Sequence, residues 1–218
     1  DLRWVWLPFS AAKALPQVHT AAIIIINERN MIIMKKVLGL GNALTDVLLQ
    51  VSEDDLRELG LPKGSMSLIS MEQAEKIQFR FLSVRKHMVA GGSAANTVST
   101  IAALGGKAAY IGKIGQDEVG DFYREDLFKN GVKPILLTAP GVMSGCSIVL
   151  ITPDGERTFA TYLGAAAELT PDDIRKEAFS GYDIFHIEGY MVQNHEVITS
   201  CANLNSLSLL KIVSERLL

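Results

Sequence analysis

Two adjacent glycines open the stretch Gly91-Gly92-Ser93-Ala94-Ala95-Asn96-Thr97, and they constrain this chain more than any other feature. With no side chains at the bend, the backbone can take torsions closed to other residues, and a ligand can approach the main chain closely. From Ala94 the apolar residues Ala94, Val98, Ile101 and Ala102 recur at the spacing of one buried helical face, and Gly105-Gly106 supplies the stop. The spacing predicts a turn running into a helix, with Asn96 in the first turn. Free N–H groups and partial positive charge collect at such a helix end, where an amide side chain can help hold hydroxyls or an anion. A tight strand-to-helix turn with a polar cap would use the same residues, so the stretch alone leaves binding and structure both open.

The wider spacing narrows the choice. Gly91, Gly92, Asn96, Gly105 and Gly115 together resemble the first signature of the ribokinase-like (PfkB) family of sugar and nucleoside kinases. Val98 departs from that pattern, which has Ser, Thr or Ala there. Because Val98 lies on the apolar helical face, it reads as a packing variation. Gly112, Asp117 and Gly120 continue the pattern, and Asp117 reads first as the cap of a helix running towards Asn130-Gly131.

The remaining elements alternate. Lys35 to Gly41 is a short apolar run consistent with a buried first strand, followed by Asn42-Ala43-Leu44-Thr45-Asp46 at the end where ligands collect in open α/β sheets. Gly39-Leu40-Gly41 invites a dinucleotide-binding reading, but Leu44 occupies its third glycine position. Val47 to Val51 reads as a strand, Ser52 to Asp55 has capping-box spacing before a short helix ending at Gly60, and Lys63 to Ile69 reads as a further strand. Met71 to Met88 reads as one helix, and Lys107 to Gly115 as a buried strand. Cys146 to Ile151 and Arg157 to Tyr162 flank the turn Pro153-Asp154-Gly155 and predict a hairpin. Thr170-Pro171-Asp172-Asp173 starts a helix, and Tyr182 to Tyr190 is a core strand carrying His186 and ending near Glu188.

The expected fold is a three-layer α/β/α ribokinase-like domain with a small β-sheet lid, C-terminally truncated. Val37 to Leu40, Ala108 to Ile111 and Ile184 to Ile187 should lie parallel in one sheet. The resemblance covers residues 35–200, with lid strands near 47–69 and 146–162. Residues 1–34 read as an extension outside the fold; a secretory signal is disfavoured by a single arginine and by Pro8 and Pro16. Residues 201–218 read as a leucine- and serine-rich tail departing from the family.

The resemblance implies a substrate-binding set of Asp46, Gly91, Gly92, Asn96, Glu188 and Asn42. Asp46 matches the position that clamps sugar hydroxyls, and a carboxylate can accept two hydroxyl hydrogen bonds at once. Glu188 matches a sugar-contacting glutamate of ribokinase, although a strand-end acid is often merely solvated. ATP and magnesium are implied for the complete enzyme. The family's later elements, an Asn-x-x-x-x-Glu-type segment for magnesium and phosphate and a Gly-Ala-Gly-Asp segment with the base, are not found in this sequence. No catalytic, cofactor-binding or metal-binding residue is therefore assigned. The implied activity is ATP-dependent phosphorylation of a sugar or nucleoside hydroxyl, this chain carrying the substrate-binding part. Asn42-Ala43-x-x-Asp46 and Thr161-Tyr162-Leu163-Gly164 look closer to adenosine-kinase-like members, without settling nucleoside against hexose or pentose.

The formal net charge of -3 shows no basic excess for nucleic acid, and no apolar run reaches the ~20 residues that span a bilayer. Only Cys146 and Cys201 occur, without metal-ligand spacing, which suits a reducing cytoplasm. The implied partner is a small sugar or nucleoside, with a homodimer through the lid as a further expectation. Two competing readings stay open: a non-catalytic binding or dimerising fragment, and an unrelated doubly wound binding protein.

Overall fold

The structure is a computed structural model that describes residues 35–204 and 210–213. Expectations for residues 1–34 lie outside the described residues. The first strand, β1 (Val37–Leu40), is buried along its whole length, as a strand covered on both faces must be. It lies between β5 (Ala108–Gly115) and β9 (Ile184–Glu188), parallel to both, with Val37 opposite Ala108 and Ile184. The three segments expected to share a sheet do so.

Two further parallel strands complete that sheet in the order β10-β9-β1-β5-β6, where β6 is Val132–Ala139 and β10 is Leu210–Val213. The sequence reading made no strand of residues 132–139. Pro134 interrupts the apolar run there, and proline is tolerated because β6 is the sheet's edge. β10 lies inside the stretch read as a departing tail, so part of that stretch extends the core sheet.

Alternate residues of β1 and its neighbours feed two cores. On one face Val37, Ala108, Tyr110 and Ile184 pack with Ala94 and Val98 of α3 (Ser93–Ala103) and with Tyr123 and Leu127 of α4 (Glu118–Lys129). On the other, Leu38, Leu40, Ile111 and Phe185 pack with Phe179, Met191 and with Val197 and Cys201 of α5 (His195–Leu204). These are the three layers. Val98 is fully buried, and its Cγ1 comes within 2.7 Å of where a side chain on Gly39 would begin, which accounts for the packing variation.

The second sheet, ordered β3-β8-β7-β2-β4, is the lid. It comprises β2 (Leu44–Gln50), β3 (Met66–Leu68), β4 (His87–Gly91), β7 (Gly145–Ile151) and β8 (Arg157–Tyr162). The expected hairpin is the antiparallel pair β7-β8. One lid face is covered by α1 (Glu53–Leu59) and α2 (Met71–Arg80), whose Leu56, Ala74 and Ile77 pack on Leu49, Ile148, Leu150 and Ala160. Ser52 and Asp55 form the expected capping box, and Gly60 ends α1 in the left-handed conformation, φ 66°.

Two helix boundaries differ from expectation. The helix read from Met71 to Met88 stops at Arg80, because His87–Gly91 is taken into the lid by β2. Thr170 caps only a short 3-10 turn, Pro171–Asp173, followed by another at Lys176–Phe179.

Candidate functional site

The site is built where the two sheets meet. β1 ends at Leu40, a three-residue loop carries Asn42, and β2 then enters the lid with Asp46 inside the strand rather than at its end. Asp46 stands opposite Val89 on β4 and Ser147 on β7. In a pleated pair, Gly91 falls on the same face as Asp46, two residues beyond Val89. A Cβ on Gly91 would lie 2.3 Å from Asp46 Oδ1, so the absent side chain makes the space the carboxylate occupies. Gly92 has φ +92°, a torsion L side chains rarely adopt, and a Cβ there would sit 2.5 Å from the carbonyl oxygen of Asn42. Asp46, Gly91, Gly92 and Asn42 are thus brought together.

Asn96 follows one turn into α3, its N–H donating to the Gly92 carbonyl at 2.9 Å. Its side chain is exposed and has no hydrogen-bond partner among the described residues. Glu188 has a different environment. It is 1% exposed and accepts three bonds: Asn42 N at 2.8 Å and Asn42 Nδ2 at 2.9 Å on Oε1, and Ala94 N at 3.0 Å on Oε2. It is therefore not a solvated strand-end acid.

Burial dominates the electrostatics. It pushes the Asp46 carboxyl up to about 7, with the positive charge of Arg157 working in the opposite direction. Burial also raises Glu188, opposed by its bonds from Asn42 and Ala94. The Gly91-Gly92 turn is held from behind by the Tyr123 hydroxyl, which donates to the Gly91 carbonyl at 3.0 Å, and by Asp126, which accepts from Ala90 N at 2.8 Å. Asp117 caps α4 by accepting from Gly120 N at 2.8 Å, and its carboxylate also takes Ser144 N at 2.7 Å and Ser144 Oγ at 2.6 Å.

Sequence reasoning missed the row beside Asp46. Val89, Asp46, Ser147, Thr161 and Leu68 are successive cross-strand neighbours, and the Ser147 and Thr161 hydroxyls are 2.9 Å apart. The next row on this face is His87, Leu48, Val149, Phe159 and Met66. Register across five strands carries no local sequence signal. A groove of about 560 Å³ beside α5, lined by Pro171, His195 and Asn203 among others, shares no residue with this site.

Residues 78–206, more than half of this chain and including the glycine pair that opens α3, match the family description "pfkB family carbohydrate kinase". The chain belongs to that family. Among solved structures, adenosine kinase from Sinorhizobium meliloti is similar with a TM-score of 0.72 and 33% identity, over 79% of this chain and 53% of that one. A probable sugar kinase from Rhizobium etli gives 0.73 and 32%, over 81% of this chain and 55% of that one. A fructokinase from Solanum tuberosum is 34% identical over 99 residues, 44% of this chain and 31% of its own length. The pfkB chain described here therefore spans about half the length of the solved relatives and about a third of the fructokinase.

No group of three His, Cys, Asp or Glu side chains able to hold a metal ion occurs among the described residues. No helix among them is long and apolar enough to cross a membrane.

Proposed function

We propose that this chain is the acceptor-binding part of an ATP-dependent kinase that phosphorylates a hydroxyl of a nucleoside or sugar. The observation that carries this reading is Asp46, a half-buried carboxylate set against Gly91, with the exposed Asn96 amide one turn beyond Gly92. An ionised carboxylate accepts two hydroxyls at once, and the amide adds a donor and an acceptor. The lid would exclude water that competes as nucleophile. Transfer in the complete enzyme rests on positioning and charge stabilisation, and the groups for the phosphate end lie outside these residues.

The apolar row Leu48, Val149 and Phe159 favours a nucleoside over a free sugar. It lies one side-chain repeat, about 7 Å, along the strands from Asp46. An acceptor held by its diol at Asp46 can lay a flat ring on the half-buried Leu48 and Phe159, beside the already buried Val149, whereas a hexose would not cover them. The relatives named for adenosine and for fructose make these the two probes. Titration calorimetry of the 218-residue chain should show adenosine binding at least about tenfold more tightly than fructose. Asp46→Ala should weaken adenosine by roughly tenfold or more while circular dichroism stays unchanged. Unchanged affinity, or an unfolded variant, would make Asp46 structural and sink the clamp.

A second reading is a chain that binds or dimerises without catalysis. A magnesium-ATP assay on the purified chain should give phosphate transfer at background; robust nucleoside-dependent ATP consumption would refute the division of labour proposed here. A second copy docked on the lid's open face is the competing occupant of the apolar row, and light scattering decides it. A cytoplasmic setting is part of this reading, supported by two buried, unbridged cysteines.

A further inference from the structure

We infer that Glu188 is a positioning residue of this site, the latch that fixes Asn42 and the start of α3 to each other, and that it does not itself touch the acceptor. The inference rests on the acceptor site proposed above and deepens it. Helix α3 needs the latch for a physical reason. Its N-cap is Gly92, which has no side chain to accept from the first-turn N–H groups, and no side-chain cap bond forms there. The Glu188 carboxylate, arriving from the end of β9, takes Ala94 N instead, and a negative charge at a helix N-terminus is favoured by the helix dipole.

The other carboxylate oxygen takes both donors of Asn42, its backbone N–H and its side-chain amide. One buried group thus joins the loop that launches β2, and hence Asp46, to the turn that carries Gly92 and Asn96. All its bonds are to protein, and at 1% exposure it has no open side from which a ligand could approach. Gly41 shows how tightly it is seated: a Cβ there would fall 2.3 Å from Glu188 Oε2 and 2.5 Å from its Cδ.

Three variants of the full chain test this, with adenosine, 2′-deoxyadenosine and 3′-deoxyadenosine as titrants. Glu188→Ala should weaken all three by the same factor, about tenfold to a hundredfold, because it misplaces the whole site. A loss that disappears for the analogue lacking one hydroxyl would mean direct contact and would overturn the inference. Gly41→Ala keeps the carboxylate but pushes it aside, and should reproduce the uniform loss; wild-type affinity in that variant would count against the latch. Amide hydrogen exchange supplies a readout that needs no ligand. In Glu188→Ala the Asn42 and Ala94 amides should exchange at least about tenfold faster while Ile111 is unchanged. In Glu188→Gln one oxygen becomes a donor, so Ala94 should lose protection and Asn42 keep it. Equal protection in wild type and Glu188→Ala would overturn the latch. If the wild-type chain bound none of the nucleosides, the acceptor reading would fall and the exchange rates alone would decide on Glu188.

Discussion

Asp46 is a carboxyl whose protonation the fold itself controls. With a folded value of about 7 against an ordinary 3.8, the native state holds a proton that the unfolded chain has already released over that interval. Stability from this group therefore falls as pH rises from about 4 to about 7, and the full cost persists above it. Asp46→Asn removes the effect, so its gain in stability should be absent below pH 4 and greatest above pH 7. At 1.36 kcal/mol per pH unit the gain has an upper bound of about 4 kcal/mol. Urea denaturation at several pH values checks it, and a gain that did not grow with pH would show that the burial cost is not felt. Affinity should run the other way, with adenosine binding strengthening from pH 6 to pH 8 as the carboxylate ionises.

Helix caps were the most legible elements of this chain, and strands without local punctuation the least. Asp117 shows the first case. Burial works to raise its carboxyl, but the bonds from Ser144 and from Gly120 outweigh it and hold the group below the usual range. Its contribution is present above the ordinary carboxylate value and is lost as pH falls through the folded one. Asp117→Ala should cost about 1–3 kcal/mol near neutral pH, since it leaves Ser144 N and Gly120 N without their acceptor; thermal unfolding measures it. The Ser-x-x-Asp spacing before α1 and the Gly91-Gly92 opening of α3 were equally readable, because caps and turns are local chemistry. β4 and β6 were not. His87–Gly91 is a strand only because β2 pairs with it, and residues 132–139 only because β5 does. For the candidate site the same division holds: the glycine turn and the first-turn Asn96 are local features and Asp46 was named through the family resemblance, whereas Ser147, Thr161 and Phe159 come beside Asp46 through register, and the burial of Glu188 comes through a contact spanning 94 residues.

At the scale of the molecule, two sheets with separate cores predict two levels of stability. The lid core of Leu49, Ile148, Leu150 and Ala160 shares no member with the two cores around β1. Amides of Ile148 and Ala160 should therefore exchange through openings of lower free energy than those of Leu38 and Ile111, as native-state exchange in dilute denaturant would show. A single common opening energy would mean that lid and core unfold as one. The same arrangement has a consequence in time. β1 is made early, yet both of its neighbours and the carboxylate that caps α3 come later in the chain, the last of them at residue 188. On the ribosome, Asn42 and the glycine turn must wait through 146 and 94 further residues for the partner that orders them. A nascent chain halted before β9 emerges would carry Asp46, Gly91, Gly92 and Asn96 without the carboxylate that joins Asn42 to the start of α3.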